Sequence, residues 1–155
     1  MSKWDVGKVQ NMQQAFCKCT SLTTLDISNW DLSSCTTIKS MFEMNNYGEN
    51  PPPISVLDVS NWNVSNIADM GWAFYGLANL KTLDVSKWNV SKVESFHHCF
   101  AWCTKLVITG LENWKPINAK TLNAIFHNNK MTSLDLSGWD VSKVENFGQM
   151  FEMCT

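Results

Sequence analysis

The sequence predicts an α/β solenoid, a right-handed stack of about six coils with one parallel strand and one short helix in each. Three observations predict it. Tryptophans at Trp4, Trp30, Trp62, Trp88, Trp114 and Trp139 recur 26, 32, 26, 26 and 25 residues apart. A phenylalanine stands twelve residues after each one: Phe16, Phe42, Phe74, Phe100, Phe126 and Phe151. Between these landmarks the apolar period switches from helical to extended. Self-similarity at such a period marks stacked units that bury their apolar faces only against their neighbours. One repeat domain spanning 1–155 is expected, its units starting near the six tryptophans and the last one cut short.

Each element follows from the spacing, with positions counted from the tryptophan as zero. The third unit is the most regular. Ile67, Met70, Ala73 and Phe74 fall at positions 5, 8, 11 and 12, steps of three and four that lie on one stripe of a two-turn helix. Ser or Asn residues just before it suit an N-cap. Leu83 and Val85 then alternate with Asp84 and Ser86, the period of two that makes a strand. The same switch recurs in Val9, Met12, Ala15 and Phe16 followed by Leu25 and Ile27, and in Leu122, Ile125 and Phe126 followed by Leu134 and Leu136. The helix supplies the crossover that parallel strands require. The tryptophan closes the turn after the strand, where its indole N–H needs an acceptor. The tryptophan and phenylalanine columns are expected to be core.

Composition narrows the function. Apolar residues at 45% suit a packed fold, and a formal net charge of −2 supplies no basic stripe for a phosphate backbone, so nucleic acid is not an expected partner. No apolar run has the length of a membrane span, and residues 1–20 show no secretion signal. The chain stops in mid-repeat at Cys154-Thr155, as an excised segment would. The six cysteines mostly occupy columns where other units place Ala, Met, Val or Leu. Reduced core thiols are therefore expected rather than a disulfide framework.

The run Phe-x-x-Cys-x-x-Leu-x-x-Leu-Asp-hydrophobic-Ser-x-Trp-Asp-hydrophobic-Ser, from Phe16 to Ser33, resembles the repeat of bacterial surface proteins. These are the BspA-like leucine-rich repeats and the related Mycoplasma-type surface lipoprotein repeats. Leu57-Asp-Val-Ser-Asn-Trp62-Asn-Val-Ser65 and Leu134-Asp-Leu-Ser-Gly-Trp139-Asp-Val-Ser142 match the same pattern. The resemblance covers essentially the whole chain. It implies a leucine-rich-repeat-like solenoid at the cell surface or outside the cell, serving attachment and recognition, with no catalytic residues. Two units depart from it. The fourth, Leu106-Val-Ile-Thr-Gly-Leu111-Glu-Asn-Trp114, loses the Asp-x-Ser pair, and the fifth has Pro116-Ile117 in place of Val-Ser.

The main candidate site is the outward row of the strands. Alternation places Thr24, Asp26 and Ser28 outward, then Val56, Asp58 and Ser60, then Thr82, Asp84 and Ser86. Ile108, Gly110 and Glu112 interrupt the row before Ser133, Asp135 and Ser137. Carboxylates about 5 Å apart repel by about 3 kcal/mol at a surface dielectric. That repulsion is offset if each Asp bonds its own turn, if the row meets a partner, or if it holds a cation. Single aspartates make a poor calcium cage.

The insert Met44-Asn-Asn-Tyr47-Gly-Glu-Asn-Pro51-Pro-Pro53 is the second candidate, with Tyr47 as its aromatic contact residue. His97, His98, Cys99 and Cys103 lie within helical reach of one another but lack a second ligand pair, so no metal or cofactor is expected. Asn63-Val-Ser65 and Asn89-Val-Ser91 match a glycosylation acceptor pattern that the repeat itself generates. No phosphate loop, nucleophile elbow or zinc-protease motif occurs. An active site would have only His98 or His127 and a ladder Asp to work with. The expectation is a non-catalytic recognition or adhesion module that binds a protein or glycan through its strand face and inserted loop. A structural or self-assembling spacer with end-to-end contacts and a cation-dependent binding module are its rivals.

Overall fold

Polar residues recur in each unit where the chain must turn, and that pattern decides the architecture. The computed structural model of the chain describes residues 4–44 and 50–155. The residues at position 7, Asn11, Thr37, Asp69, Ser95, Thr121 and Asn146, line up in single parallel bridges, each to the next. From there the backbone runs as a ribbon of consecutive turns. Its amides at positions 8, 10, 12 and 14 donate to the following unit. In the third unit Met70, Trp72, Phe74 and Gly76 donate to the carbonyls of Ser95, His97, Cys99 and Ala101 at 2.8–2.9 Å. The intervening amides donate three residues back: Ala73 to Met70 at 3.1 Å, Tyr75 to Trp72 at 3.2 Å. At position 10 every unit is left-handed, with φ between 53° and 61° at Gln14, Ser40, Trp72, His98, Ala124 and Gln149.

The expected α/β solenoid of about six coils, and the leucine-rich-repeat architecture with it, is overturned. Among the described residues there is no α-helix. The regular elements are β1 (Thr82–Asp84) and β2 (Val107–Thr109), paired in parallel as one small sheet, and a 3-10 turn at Leu111–Asn113. The stretches at Leu25–Ile27 and Leu134–Leu136, expected as strands, form no ladder.

The physical reason lies in the spacing between units. Phenylalanine rings of successive units stack at centroid distances of 5.3, 5.7, 5.5, 6.1 and 5.8 Å from Phe16 to Phe151. Packed helices need about 8–10 Å between axes. A helix also uses its amides internally, whereas the turn ribbon sends alternate amides to its neighbour and lets the units close up. Ile67, Met70, Ala73 and Phe74 are all buried, so the three-and-four spacing does mark an inward face. It is the inward face of a turn ribbon.

The core is continuous from Val6 to Phe126. Indoles stack as well: Trp62 on Trp88 at 6.2 Å, Trp88 on Trp114 at 6.1 Å and Trp114 on Trp139 at 5.7 Å. Four of the column's indole N–H groups find an acceptor about one coil earlier, whereas that of the buried Trp30 has none among the described residues. Trp62 donates to Ile27, Trp88 to Val59, Trp114 to Val85 and Trp139 to Leu111, at 2.8–3.2 Å. Those carbonyls also accept the amide of their own unit's tryptophan, as Ile27 does from Trp30 at 3.1 Å. One carbonyl therefore ties two units together. The columns end in water, with Trp4 59% and Phe151 49% exposed.

All six cysteines are free, with Cys35, Cys99 and Cys103 buried. The Cys103 thiol donates to the Phe74 carbonyl at 3.1 Å and that of Cys154 to Phe126 at 3.0 Å. Asn129, at the same position in its unit, makes the equivalent bond to Phe100. Gly110 explains the irregular fourth unit. Its φ is 95°, and a Cβ there would lie 2.2 Å from the Ser86 Cα. The chain crosses Ser86 too closely to carry an aspartate at that point.

Candidate functional site

An aspartate followed two residues later by serine is the sequence of an Asx turn, and each ladder aspartate makes one. Asp26 Oδ1 accepts from the Ser28 amide at 3.4 Å and hydroxyl at 2.9 Å. Asp58 Oδ1 takes the Ser60 amide and hydroxyl at 3.1 and 2.7 Å. Asp84 and Asp135 accept the amides of Ser86 and Ser137 at 3.0 and 2.9 Å. The Ser86 hydroxyl, then its amide, hold the Asp84 carboxyl below the usual carboxylate range. The Ser137 amide, then its hydroxyl, do the same for Asp135. All four aspartates are exposed, and these bonds fall on Oδ1, so the second oxygen takes no part in them.

The motif recurs at two more corners, one of them lacking in the fifth unit, where Lys115 stands at position 1. At position 1, Asp5, Asp31, Asn63, Asn89 and Asp140 accept amides two residues on at 2.9–3.2 Å. At position 7, Asn11, Asp69 and Asn146 do so at 2.7–2.8 Å, with Thr37 and Thr121 using hydroxyls at 3.1–3.2 Å. The capping role expected of Ser and Asn before a helix therefore belongs to position 7, one turn further on. Asn63 and Asn89, the two glycosylation-pattern residues, are corner acceptors.

Two seams open along the strand face. No backbone hydrogen bond joins residues 22–26 to residues 54–58 among those described, and a cleft of about 500 Å³ lies between them. Leu22, Leu25 and Asp26 line one wall, Ser55 and Val56 the other, with Val56 67% exposed. A second seam separates Ile108–Glu112 from Ser133–Asp135 and encloses about 390 Å³. Asp26 and Asp135 thus line separate clefts, while Asp84 is the last residue of β1 and Asp58 belongs to the unit before it. The row is not one continuous strip. Tyr47 lies outside the described residues.

The histidines have a setting that the sequence reading did not anticipate. His98 and His127 line a cleft with Trp72, Tyr75 and Trp102 on the turn ribbon, away from the strand face. Trp72 and Trp102 are the two tryptophans outside the repeating column, and that departure from register was the available signal. Cys99 and Cys103 point to the core instead and are wholly buried. Burial pushes the Cys103 thiol up to about 12. Among the described residues no group of three or more His, Cys, Asp or Glu side chains is placed to hold a metal ion. None of their helices is long and apolar enough to cross a membrane.

No curated protein and no solved structure matches the chain. A family profile described as "Mycoplasma protein of unknown function, DUF285" matches it twice, over residues 1–51 and 49–155. Those matches span the sequence from end to end, and the chain belongs to that Mycoplasma-type repeat family.

Proposed function

We propose that the chain is a non-catalytic recognition module of a cell-surface protein, binding a protein or glycan partner through its strand face and the insert before Ile54. The BspA-like character of the repeat motif supports a role in attachment. The observation that carries the reading is the seam between residues 22–26 and 54–58. It combines backbone groups that make no hydrogen bond across the seam among the described residues, an exposed Val56 and the carboxylate of Asp26. An extended segment laid along such an edge gains main-chain hydrogen bonds, and side-chain pockets add selectivity.

Joint replacement of Asp26, Asp58 and Asp84 by Asn tests it. Asparagine already makes the same turn bond at Asn63 and Asn89, so the corners survive while three charges disappear. Labelled chain is applied to cultured cells, intact or pretreated with protease or glycosidase. The triple variant is expected to keep its melting temperature and lose cell binding, and the pretreatment that abolishes binding names the partner class. Equal binding by the variant and the parent refutes the strand-face reading.

End-to-end self-association is a second reading with its own observation. In the last unit the amides of Phe147, Gln149, Phe151 and Met153 have no backbone acceptor among the described residues. In the first, the carbonyls of Asn11, Gln13, Ala15 and Cys17 have no donor. These rows are the two halves of the ribbon ladder, in matching register. Light scattering over a concentration series decides it: a monodisperse monomer throughout removes this reading.

A further inference from the structure

The ribbon's left-handed positions should favour residues that tolerate positive φ, and a side chain as large as indole resists it. Position 10 is Gln, Ser, Ala and Gln in the first, second, fifth and sixth units. In the third and fourth it holds Trp72 and His98, at φ 61° and 54°. Trp102 adds a second indole at φ 62°. The core does not need these rings, since smaller side chains serve the same position in neighbouring units. All three are only partly buried. Trp72 and His98 lie face to face, 4.1 Å apart and within 2° of parallel.

The cleft they form encloses about 380 Å³. Glu43 of the second unit lines one end and Gln149 of the sixth the other, with His127 between Trp102 and Gln149. Four unit steps of about 5 Å give a groove about 20 Å long, running along the stack. Its contents restrict the ligand. No lysine lines it and the chain contains no arginine, so an anion would meet no counter-charge. His98 is held neutral by burial and then by His97 and His127, which push it down to about 4. An ammonium ion would need rings arranged around a gap. Trp72 and Tyr75 instead pack directly, with centroids 4.9 Å apart, and His98 covers one Trp72 face. What fits is a long, uncharged molecule with apolar C–H faces and many hydroxyls. Indole surfaces take such faces, and imidazole, carboxylate and amide groups exchange hydrogen bonds with the hydroxyls.

We propose that this cleft binds a neutral oligosaccharide lying along the stack, with the partly exposed indoles of Trp102 and Trp72 as platforms and Glu43, His98, His127 and Gln149 as its hydrogen-bonding groups. The site shares no residue with the strand face, so it stands or falls independently of the function proposed above.

Tryptophan fluorescence and calorimetry of the whole chain test it, by titration with neutral hexasaccharides of glucose, mannose and N-acetylglucosamine in their common linkages. Heparin, choline and a proline-rich peptide form parallel arms. At least one neutral hexasaccharide is expected to bind saturably at millimolar concentration or below. Trp102→Ala and, separately, the milder Glu43→Gln should each weaken it about tenfold without lowering the melting temperature, and Asp84→Asn should leave it unchanged. Glu43→Gln keeps the test decisive if Trp102→Ala fails to fold. Absence of binding by every neutral hexasaccharide overturns the proposal, as does binding only in the heparin, choline or peptide arm. Saccharide binding that both cleft variants retain overturns it equally.

Discussion

Replacing Phe74 and Phe151 by alanine in separate variants asks how the stack distributes its stability. Phe74 is wholly buried, with Phe42 at 5.7 Å on one face, Phe100 at 5.5 Å on the other and Trp88 at 6.1 Å. Losing a buried phenyl ring costs about 3–5 kcal/mol. Two stacked partners, each worth about 0.5–1.5 kcal/mol beyond burial, place it in the upper part of that range. Phe151 does the same job at the column's end, with one stacked neighbour, Phe126 at 5.8 Å, and 49% of its surface already in water. About half the burial and one of two stacking contacts remain to be lost, so Phe151→Ala should cost about 1.5–2.5 kcal/mol. Urea titration followed by far-ultraviolet circular dichroism measures both, and equal slopes establish that the unfolded states are comparable. Against a domain stability of about 5–15 kcal/mol, the central variant is expected to unfold at markedly lower urea. Equal losses at the two sites, or a loss below about 2 kcal/mol at Phe74, would refute the view that each ring is held by the units on either side.

Gly110→Ala should be among the most damaging single changes, because the added methyl meets Ser86 backbone at 2.2–2.3 Å and the φ of 95° disfavours any side chain. An unchanged melting temperature would show that the crossing is not tight. The His98 ring gives a pH dependence. Its folded value of about 4 lies below the ordinary 6.5, so its contribution is present above pH 6.5 and lost as pH falls towards 4. The full linkage of about 3 kcal/mol, roughly halved because the ring is half in water, leaves about 1–2 kcal/mol. His98→Gln should flatten the stability profile over that window, and a profile that keeps its slope contradicts the assignment. Thiol accessibility supplies the last test: Cys19 is exposed while Cys35, Cys99 and Cys103 are buried. A disulfide reagent should modify Cys19 first and reach the buried three only on denaturation, and early modification of Cys103 would argue against its buried bond to Phe74.

The recurrence of Trp and Phe identified the core columns because identical side chains stacked in register must share one environment. Trp30, Trp62, Trp88 and Trp114 are accordingly buried. Local geometry was less legible. Steps of three and four describe any path that returns to the inside every three or four residues, and the ribbon around Met70, Ala73 and Phe74 does so by turns. Position 10 carries no signal against a helix in the residues themselves, since Ser40 and Trp72 are both left-handed without sharing a side-chain type. The corner residues were half legible. Asp84 and Ser86 were singled out as a possible binding row, and the structure gives them a turn bond as well. Asp31, Asn63 and Asp69 make the same bond at other corners, so the motif alone cannot separate architecture from recognition. Trp72 and Trp102 stand outside the repeating column, so the period carries no information about their setting.

The two departures from the repeat show where the chain can vary without losing cohesion. The insert lengthens the second unit, yet the bridge from Thr37 to Asp69 spans 32 residues and forms like the others. Pro116 replaces a Val or Leu at position 2, where the amide makes no backbone hydrogen bond in any other unit among the described residues. It therefore removes a donor that the fold does not use. Cohesion is concentrated in the turn ribbon, where four amides per unit bind the next, and in the indole bonds to the preceding unit. The strand side, by contrast, forms a regular ladder among the described residues only at β1 and β2, and opens at the two seams. Sequence change on that side disturbs few shared bonds. A family built this way can alter seams, inserts and exposed residues such as Val56 while the ribbon and the ring columns hold its units together.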